Sequence, residues 1–123
     1  MNILVIDDEP AIRDVIFEFL TMMDHSVTVA EDGEAGLNEF RHSLFDLVIT
    51  DLMMPKLNGL EMVARMRALK EGQCVILLSG SDLDGMNFST DRTTKQLSKP
   101  FSFDRLMETI RSFDKDPAST SNP

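Results

Sequence analysis

Apolar and polar residues alternate along this chain in blocks that predict strands and helices in turn. Short apolar runs rich in β-branched residues are typical of strands buried on both faces, and apolar residues spaced three or four apart are typical of helices. Strands are predicted at residues 3–6, 27–30, 47–49, 75–78 and 96–98. Helices are predicted at residues 10–23, 33–42, 59–69 and 103–113, with a short or irregular one over 82–94.

The helical spacing also predicts which side chains face the core. Pro10 suits a first helical turn capped by Asp8 or Glu9, and Ser102 is a plausible cap for the last helix. The residues expected to face inward are Ile12, Val15, Ile16, Phe19, Leu20, Met23, Leu37, Phe40, Met62, Val63, Met66, Leu69, Phe103, Leu106, Met107, Ile110 and Phe113.

Strands that alternate with helices predict a parallel sheet with helices on both faces. The first, third and fourth strands are the most apolar and belong in the centre, whereas the second and fifth are polar and belong at the edges. The flavodoxin-like, doubly wound strand order 2-1-3-4-5 satisfies this distribution. In that order the first and third strands are neighbours at the topological switch point, where open α/β sheets bind ligands at the carboxyl ends of their strands.

Length and charge narrow the class of protein further. The 123 residues suit one domain, expected over residues 1–114, with a disordered polar tail over 115–123. A net charge of −9 argues against direct binding to nucleic acid or to an anionic membrane. No apolar run approaches a membrane span, and the single cysteine, Cys74, is expected to be a buried thiol in a reducing cytoplasm. We therefore expect a cytoplasmic protein.

Polar side chains follow four of the five predicted strands. Asp7 and Asp8 follow the first, Asp51 the third, Ser79 the fourth and Lys99 the fifth. Because the carboxyl ends of parallel strands share one edge of the sheet, these residues are expected to lie together. Three carboxylates there would repel one another without a hard cation such as Mg²⁺. Lys99 and Ser79 could then bind further anionic oxygens.

Such a group of residues suits the formation of an acyl phosphate, with Asp51 as the nucleophile. Each residue alone has an ordinary explanation. Asp7 and Asp8 could be no more than caps of the helix that follows, and Asp51 could be a turn residue. Ser79 could be an ordinary hydroxyl at a strand end, and Lys99 a solvated lysine. Five independent accidents on one edge are a weaker explanation than a site.

Four segments resemble, in order and spacing, the receiver (CheY-like) domain of bacterial two-component response regulators. They are IDDEP at 6–10, DLVITDLMMPKLNG at 46–59, LLSG at 77–80 and SKPF at 98–101, and the resemblance covers residues 2–113. It implies a signalling module that takes a phosphoryl group from a histidine kinase or phosphotransfer protein and signals through altered protein binding. It also implies that the chain is not an enzyme, and that it catalyses only its own phosphorylation and dephosphorylation.

The resemblance assigns roles position by position. These are Asp51 as phosphoacceptor, Asp8 as direct magnesium ligand, Asp7 as ligand largely through water, Met53 as donor of a backbone carbonyl to the metal, Ser79 as switch hydroxyl and Lys99 as phosphate-binding lysine. Mg²⁺ is the implied cofactor, with Mn²⁺ as a substitute. A cis peptide bond between Lys99 and Pro100 is implied as well. The first helical turn, with Ala11, Ile12 and Val15, is the candidate contact for the phosphodonor, although Ile12 and Val15 could equally belong to the core.

Two departures from the family pattern concern output. Gln96 stands where the family usually has Tyr or Phe, and residues 82–94 are poor in helix-forming residues. Both departures leave the predicted phosphorylation site intact, so we expect normal phosphoryl chemistry with an atypical output surface. Because of Gln96, a phosphate-independent interaction or dimerisation module remains an alternative. A phosphohydrolase is disfavoured because Met53 replaces its usual second acid. The sequence identifies no downstream target, and the chain could be a complete single-domain regulator or part of a longer protein.

Overall fold

Five parallel strands form one sheet in the computed structural model, which describes residues 1–80 and 92–115. They are β1 (Asn2–Ile6), β2 (Ser26–Ala30), β3 (Leu47–Asp51), β4 (Val75–Ser79) and β5 (Thr94–Ser98). Their order is β2-β1-β3-β4-β5, and every adjacent pair is parallel. The predicted order is confirmed, with the polar strands at the two edges.

Four helices are present in the described residues. They are α1 (Pro10–Met22), α2 (Gly33–His42), α3 (Gly59–Leu69) and α4 (Phe103–Lys115). None of the helices in this part of the chain is long and apolar enough to cross a lipid bilayer. Residues 116–123 of the predicted tail lie outside the described residues, and Lys115, where that tail was predicted to begin, is the last residue of α4.

The helix predicted over 82–94 falls mostly on residues that lie outside the described part. Its predicted end is wrong, because Thr94 is the first residue of β5. The polar sequence of this segment does not indicate where the strand begins, because its start depends on pairing with β4. Thr94 pairs with Val75, and its side chain is buried.

Two apolar layers cover the sheet, one on each face. Successive side chains of a strand point to opposite faces, so each central strand contributes to both layers. The layer under α2 and α3 contains the strand residues Leu4, Ile6, Val48, Val75 and Leu77. The layer under α1 and α4 contains Ile3, Val5, Leu47, Ile49, Ile76, Leu78 and Leu97. Burial on both faces explains why the central strands are continuous apolar runs.

Several residues predicted to face inward are exposed. In α1, Ile16 and Leu20 are buried, but Val15 is 46% exposed because it lies on the flank of the helix, away from the stripe that contacts the sheet. Met23 is exposed because α1 ends one residue before it. Leu69 is the last residue of α3 and is 57% exposed.

The same correction applies to Phe103 and Cys74. Phe103 begins α4 and is 43% exposed, although its ring stacks on Phe19 of α1 with centroids 4.3 Å apart. Its position in the first turn of α4 keeps it outside the buried cluster under that helix. Cys74, predicted to be buried, is half-buried, because it precedes β4 instead of lying within it.

Candidate functional site

The sheet register brings the ends of four strands to one edge. Ile6 pairs with Thr50 across β1 and β3, so Asp7 and Asp51 leave neighbouring strands side by side. Asp51 in turn pairs with Leu78, so Ser79 lies one residue further along β4. Ser79 pairs with Ser98 of β5, and Lys99 follows directly. The structure thus brings together the strand-end residues on which the predicted site depends.

Three carboxylates lie within reach of one metal ion. Asp7, Asp8 and Asp51 each offer an oxygen, and these oxygens lie within 4.8 Å of one another. Asp7 and Asp51 are buried, whereas Asp8 is exposed. Burial disfavours the charged form and raises the pKa of both Asp7 and Asp51. Oxygen donors of this kind, partly desolvated and mutually repelling, fit a hard divalent cation such as Mg²⁺.

Lys99 supplies the positive charge nearest to this cluster. Its Nζ lies 3.1 Å from Asp7 Oδ2, 3.3 Å from Asp51 Oδ2 and 3.3 Å from Glu9 Oε1. Burial alone would lower the pKa of Lys99, but the carboxylates of Asp7 and Asp51 outweigh that effect and raise it. The half-buried Lys99 side chain therefore carries a positive charge, and three carboxylates share its ammonium group.

Glu9 contributes to the site in a way that sequence reasoning missed. It occupies the position before α1, but its side chain makes no capping hydrogen bond. The Glu9 carboxylate instead contacts Lys99, while the Glu9 backbone N–H donates to Asp7 Oδ1 at 2.9 Å. The only signal in the sequence was an acidic residue beside Asp7 and Asp8, and helix capping explained that residue equally well.

The loop after β3 lies against Asp51. The Met53 N–H points to Asp51 Oδ1 at 3.4 Å, and the Met53 side chain is 57% exposed. The Gly59 N–H donates to the Leu52 carbonyl at 2.9 Å, which brings the start of α3 back against the strand end. A Cβ at Gly59 would lie 2.5 Å from the Asp51 carbonyl oxygen, so this close approach requires glycine.

Ser79 is buried and has a polar partner on β5. Gln96 Nε2 donates a hydrogen bond to Ser79 Oγ at 2.9 Å. The Ser79 carbonyl accepts from the Lys99 backbone N–H at 2.6 Å, which fixes the start of the loop that carries the lysine. The Lys99–Pro100 peptide bond is cis, as the resemblance implied.

An apolar groove opens beside the site between α1 and the β5–α4 loop. Ala11, Ile12 and Val15 line one side, and Pro100 and Phe101 line the other. The alternative that Val15 belongs to the core is wrong, because nearly half of this residue is exposed. Ile12 is partly buried and packs on the core beneath α1, so it belongs both to the core and to the groove wall.

A family model described as the response regulator receiver domain matches residues 3–111. The chain is 32% identical over 114 residues to the response regulator ArlR of Staphylococcus haemolyticus, which covers 89% of this chain and 51% of that protein. It is 33% identical over 116 residues to the transcriptional regulatory protein DltR of Streptococcus agalactiae, which covers 90% of this chain and 50% of that protein. The chain spans about half the length of these curated relatives.

Two solved structures share the fold over nearly their whole length. A response regulator receiver domain protein from Clostridium thermocellum gives a TM-score of 0.81 at 30% identity, over 93% of this chain and 94% of that chain. The response regulator protein TrrA from Thermotoga maritima, solved in complex with Mg²⁺-BeF, gives a TM-score of 0.80 at 35% identity, over 91% and 97%.

Proposed function

This chain belongs to the response regulator receiver domain family, and from that premise we propose that it accepts a phosphoryl group on the carboxylate of Asp51 in a magnesium-dependent reaction. The observation that carries the proposal is one cluster of contacts. Asp51 shares Lys99 with Asp7, and the two buried aspartates share a possible metal position with Asp8. A turn residue or a helix cap would need none of these contacts.

The transfer forms one bond and breaks one bond. An oxygen of the ionised Asp51 carboxylate attacks the phosphorus of a phosphohistidine donor. A P–O bond forms, the P–N bond breaks, and the imidazole leaves with the bonding electron pair and takes up a proton. Two contacts of Asp51 support this role, since its Oδ1 faces the Met53 N–H and its Oδ2 faces Lys99 Nζ.

The surrounding residues have complementary tasks in this proposal. Asp8, Asp51 and the Met53 carbonyl would hold Mg²⁺ directly, and Asp7 largely through water. The bound ion would supply positive charge that offsets the charge on the phosphoryl oxygens. Lys99 would exchange a carboxylate contact for a second phosphoryl oxygen, and the Ser79 hydroxyl would donate to a third.

We also propose where the phosphodonor binds. The groove beside α1 leads to Lys99 and includes the exposed Val15 side chain. A histidine kinase or phosphotransfer protein that docks an apolar surface there would bring its phosphohistidine to Asp51. The phosphorylated chain would then act through altered binding to a protein partner.

Intact mass spectrometry after incubation with acetyl phosphate and Mg²⁺ tests the phosphoacceptor. We expect the wild type to gain one phosphoryl group, and Asp51→Asn to gain none. Asp46→Asn is the matched control, because Asp46 is exposed at the opposite end of β3, where its Oδ2 accepts a hydrogen bond from the Asn2 N–H. EDTA should abolish labelling, and added Mg²⁺ or Mn²⁺ should restore it.

Two outcomes would contradict the proposal. Equal labelling of the wild type and Asp51→Asn would exclude Asp51 as the acceptor. A wild-type chain that gains no mass under any of these conditions would favour a phosphate-independent interaction module instead.

A further inference from the structure

The side chain of Gln96 connects the edge of the sheet with the buried end of β4. Gln96 is an exposed residue of β5, and it pairs with Leu77 of β4. Side chains alternate along a strand, so Gln96, Leu77 and Ser79 point to the same face of the sheet. The Gln96 amide thereby reaches past its paired residue and donates to Ser79 Oγ at 2.9 Å.

The direction of this hydrogen bond decides what Ser79 can do. A serine hydroxyl has one proton to donate and two lone pairs that accept. When the Gln96 N–H occupies a lone pair, the single proton of Ser79 remains available to a different acceptor. Asp51 ends the neighbouring strand beside Leu78, the residue before Ser79, so both side chains lie at the same edge of the sheet. Under the proposed function, a phosphoryl group on Asp51 would extend beyond that edge and offer oxygens as such an acceptor.

We propose that Gln96 is a positioning residue for the phosphoryl chemistry of Asp51. Its amide holds Ser79 Oγ as an acceptor and thereby directs the Ser79 proton toward the phosphoryl oxygens. The inference rests on the proposed function, because it concerns the same phosphoryl group. Gln96 itself touches neither the acceptor nor the metal position and acts only through Ser79.

Two substitutions of similar size separate the donor from the bulk of the side chain. Gln96→Met keeps the length but removes the N–H. Gln96→Glu keeps the shape but, when ionised, can only accept a hydrogen bond, so it would draw the Ser79 proton away from Asp51. Gln96 is exposed on an edge strand, so neither change disturbs the core.

The rate of phosphorylation by acetyl phosphate, followed by intact mass, tests the effect of the two substitutions. We expect Gln96→Met to slow phosphorylation roughly fivefold, the equivalent of about one neutral hydrogen bond. Gln96→Glu should slow it further. Lys95→Met is the matched control, because Lys95 is the neighbouring residue of β5 and lies over the Phe113 ring on the other face of the sheet. It should keep the wild-type rate.

A double-mutant cycle with Ser79→Ala distinguishes positioning from a structural role. If Gln96 acts through the Ser79 hydroxyl, Gln96→Met and Gln96→Glu have no further effect once that hydroxyl is removed. Undiminished effects in the Ser79→Ala background would overturn the inference. Wild-type rates for both Gln96 variants would overturn it as well, while leaving the proposed function intact. A wild-type chain that is not labelled at all would instead remove the proposed function on which the inference rests.

Discussion

At the scale of single residues, the site is a local excess of negative charge. The ammonium group of Lys99 contacts three carboxylates, those of Asp7, Glu9 and Asp51. The pKa of Asp51 is raised, first because of burial and also because of the nearby Asp7 charge, against the opposing attraction of Lys99. The ionised Asp51 is therefore less favourable in the folded chain than in the unfolded chain.

This excess predicts that Asp51→Asn stabilises the metal-free protein. An acid whose pKa is higher in the folded state lowers stability when it is ionised, and this effect disappears as the pH falls through the folded-state pKa toward the unfolded value of 3.8. In EDTA at pH 7 we expect Asp51→Asn to melt a few degrees above the wild type, on the order of 1 kcal/mol. The difference should shrink as the pH is lowered toward 4.

Thermal unfolding of both proteins across this pH range provides the measurement, with Asp46→Asn as the exposed control. If Asp51→Asn melts at or below the wild-type temperature at pH 7, the prediction is wrong. A stabilisation that does not depend on pH would contradict its electrostatic origin.

The residues of the site were predictable to different degrees. Asp7, Asp51, Ser79 and Lys99 could be placed together from the sequence, because parallel strands end at a common edge. The contact between Glu9 and Lys99 could not, because an acidic residue before a helix fits capping equally well. The hydrogen bond from Gln96 to Ser79 also depends on register, which a polar edge strand does not specify in its sequence.

At the scale of the elements, α3 and β5 are joined by one side chain. The guanidinium of Arg67 donates to the Gln73 carbonyl, and its Nη2 also donates to the Thr93 carbonyl and to Thr94 Oγ1, the last at 2.7 Å. Arg67 thereby connects the last turn of a helix to the first residue of an edge strand, whose other end leads to Lys99.

Arg67→Met should destabilise the protein by about 1–3 kcal/mol, because it removes several charge-assisted hydrogen bonds between α3 and the segment that leads into β5. Arg65→Met on the same helix is the matched control. Arg65 makes an exposed ion pair with Glu61 at 3.3 Å, so its loss should change stability by less than about 1 kcal/mol. Urea unfolding of both variants measures the difference, and equal destabilisation would contradict a joining role for Arg67.

The boundaries of the elements show where sequence patterns stop being sufficient. The bounds predicted for α2 and α3 are confirmed, and in the structure each helix begins directly after a side-chain cap, Asp32 for α2 and Asn58 for α3. The start of β5 was predicted too late, because Thr94 and Lys95 carry no apolar alternation and pairing with β4 determines the strand. Val15 and Ile16 are both apolar at helical spacing, and only the position of α1 on the sheet exposes one and buries the other.

At the scale of the whole molecule, the strand order follows from the distribution of apolar residues. Strands buried on both faces must be central, and polar strands tolerate an edge, so the order 2-1-3-4-5 could be predicted. The order then fixes the site, because it places β1 beside β3 and brings three acidic side chains to one edge of a protein that already carries a net charge of −9.

That concentration of charge predicts that Mg²⁺ stabilises the whole fold. A ligand that binds only the folded state adds about 1.4 kcal/mol at ten times its dissociation constant, which corresponds to a rise of roughly 5 °C in Tm for a chain of this size. The same concentration of charges should make the effect specific for a divalent ion. NaCl at equal ionic strength should therefore give a smaller rise.

Asp8→Asn separates binding at the site from general screening. Asp8 is exposed, so this change should leave the metal-free fold nearly unaltered while it replaces one charged carboxylate of the cluster with a neutral amide. We expect the Mg²⁺-dependent rise in Tm to fall to the level produced by NaCl. If Asp8→Asn keeps the full response, the ion acts elsewhere on this acidic surface. If Mg²⁺ and NaCl stabilise the wild type equally, the acidic edge acts only as a region of diffuse charge, since a specific site must distinguish the two salts.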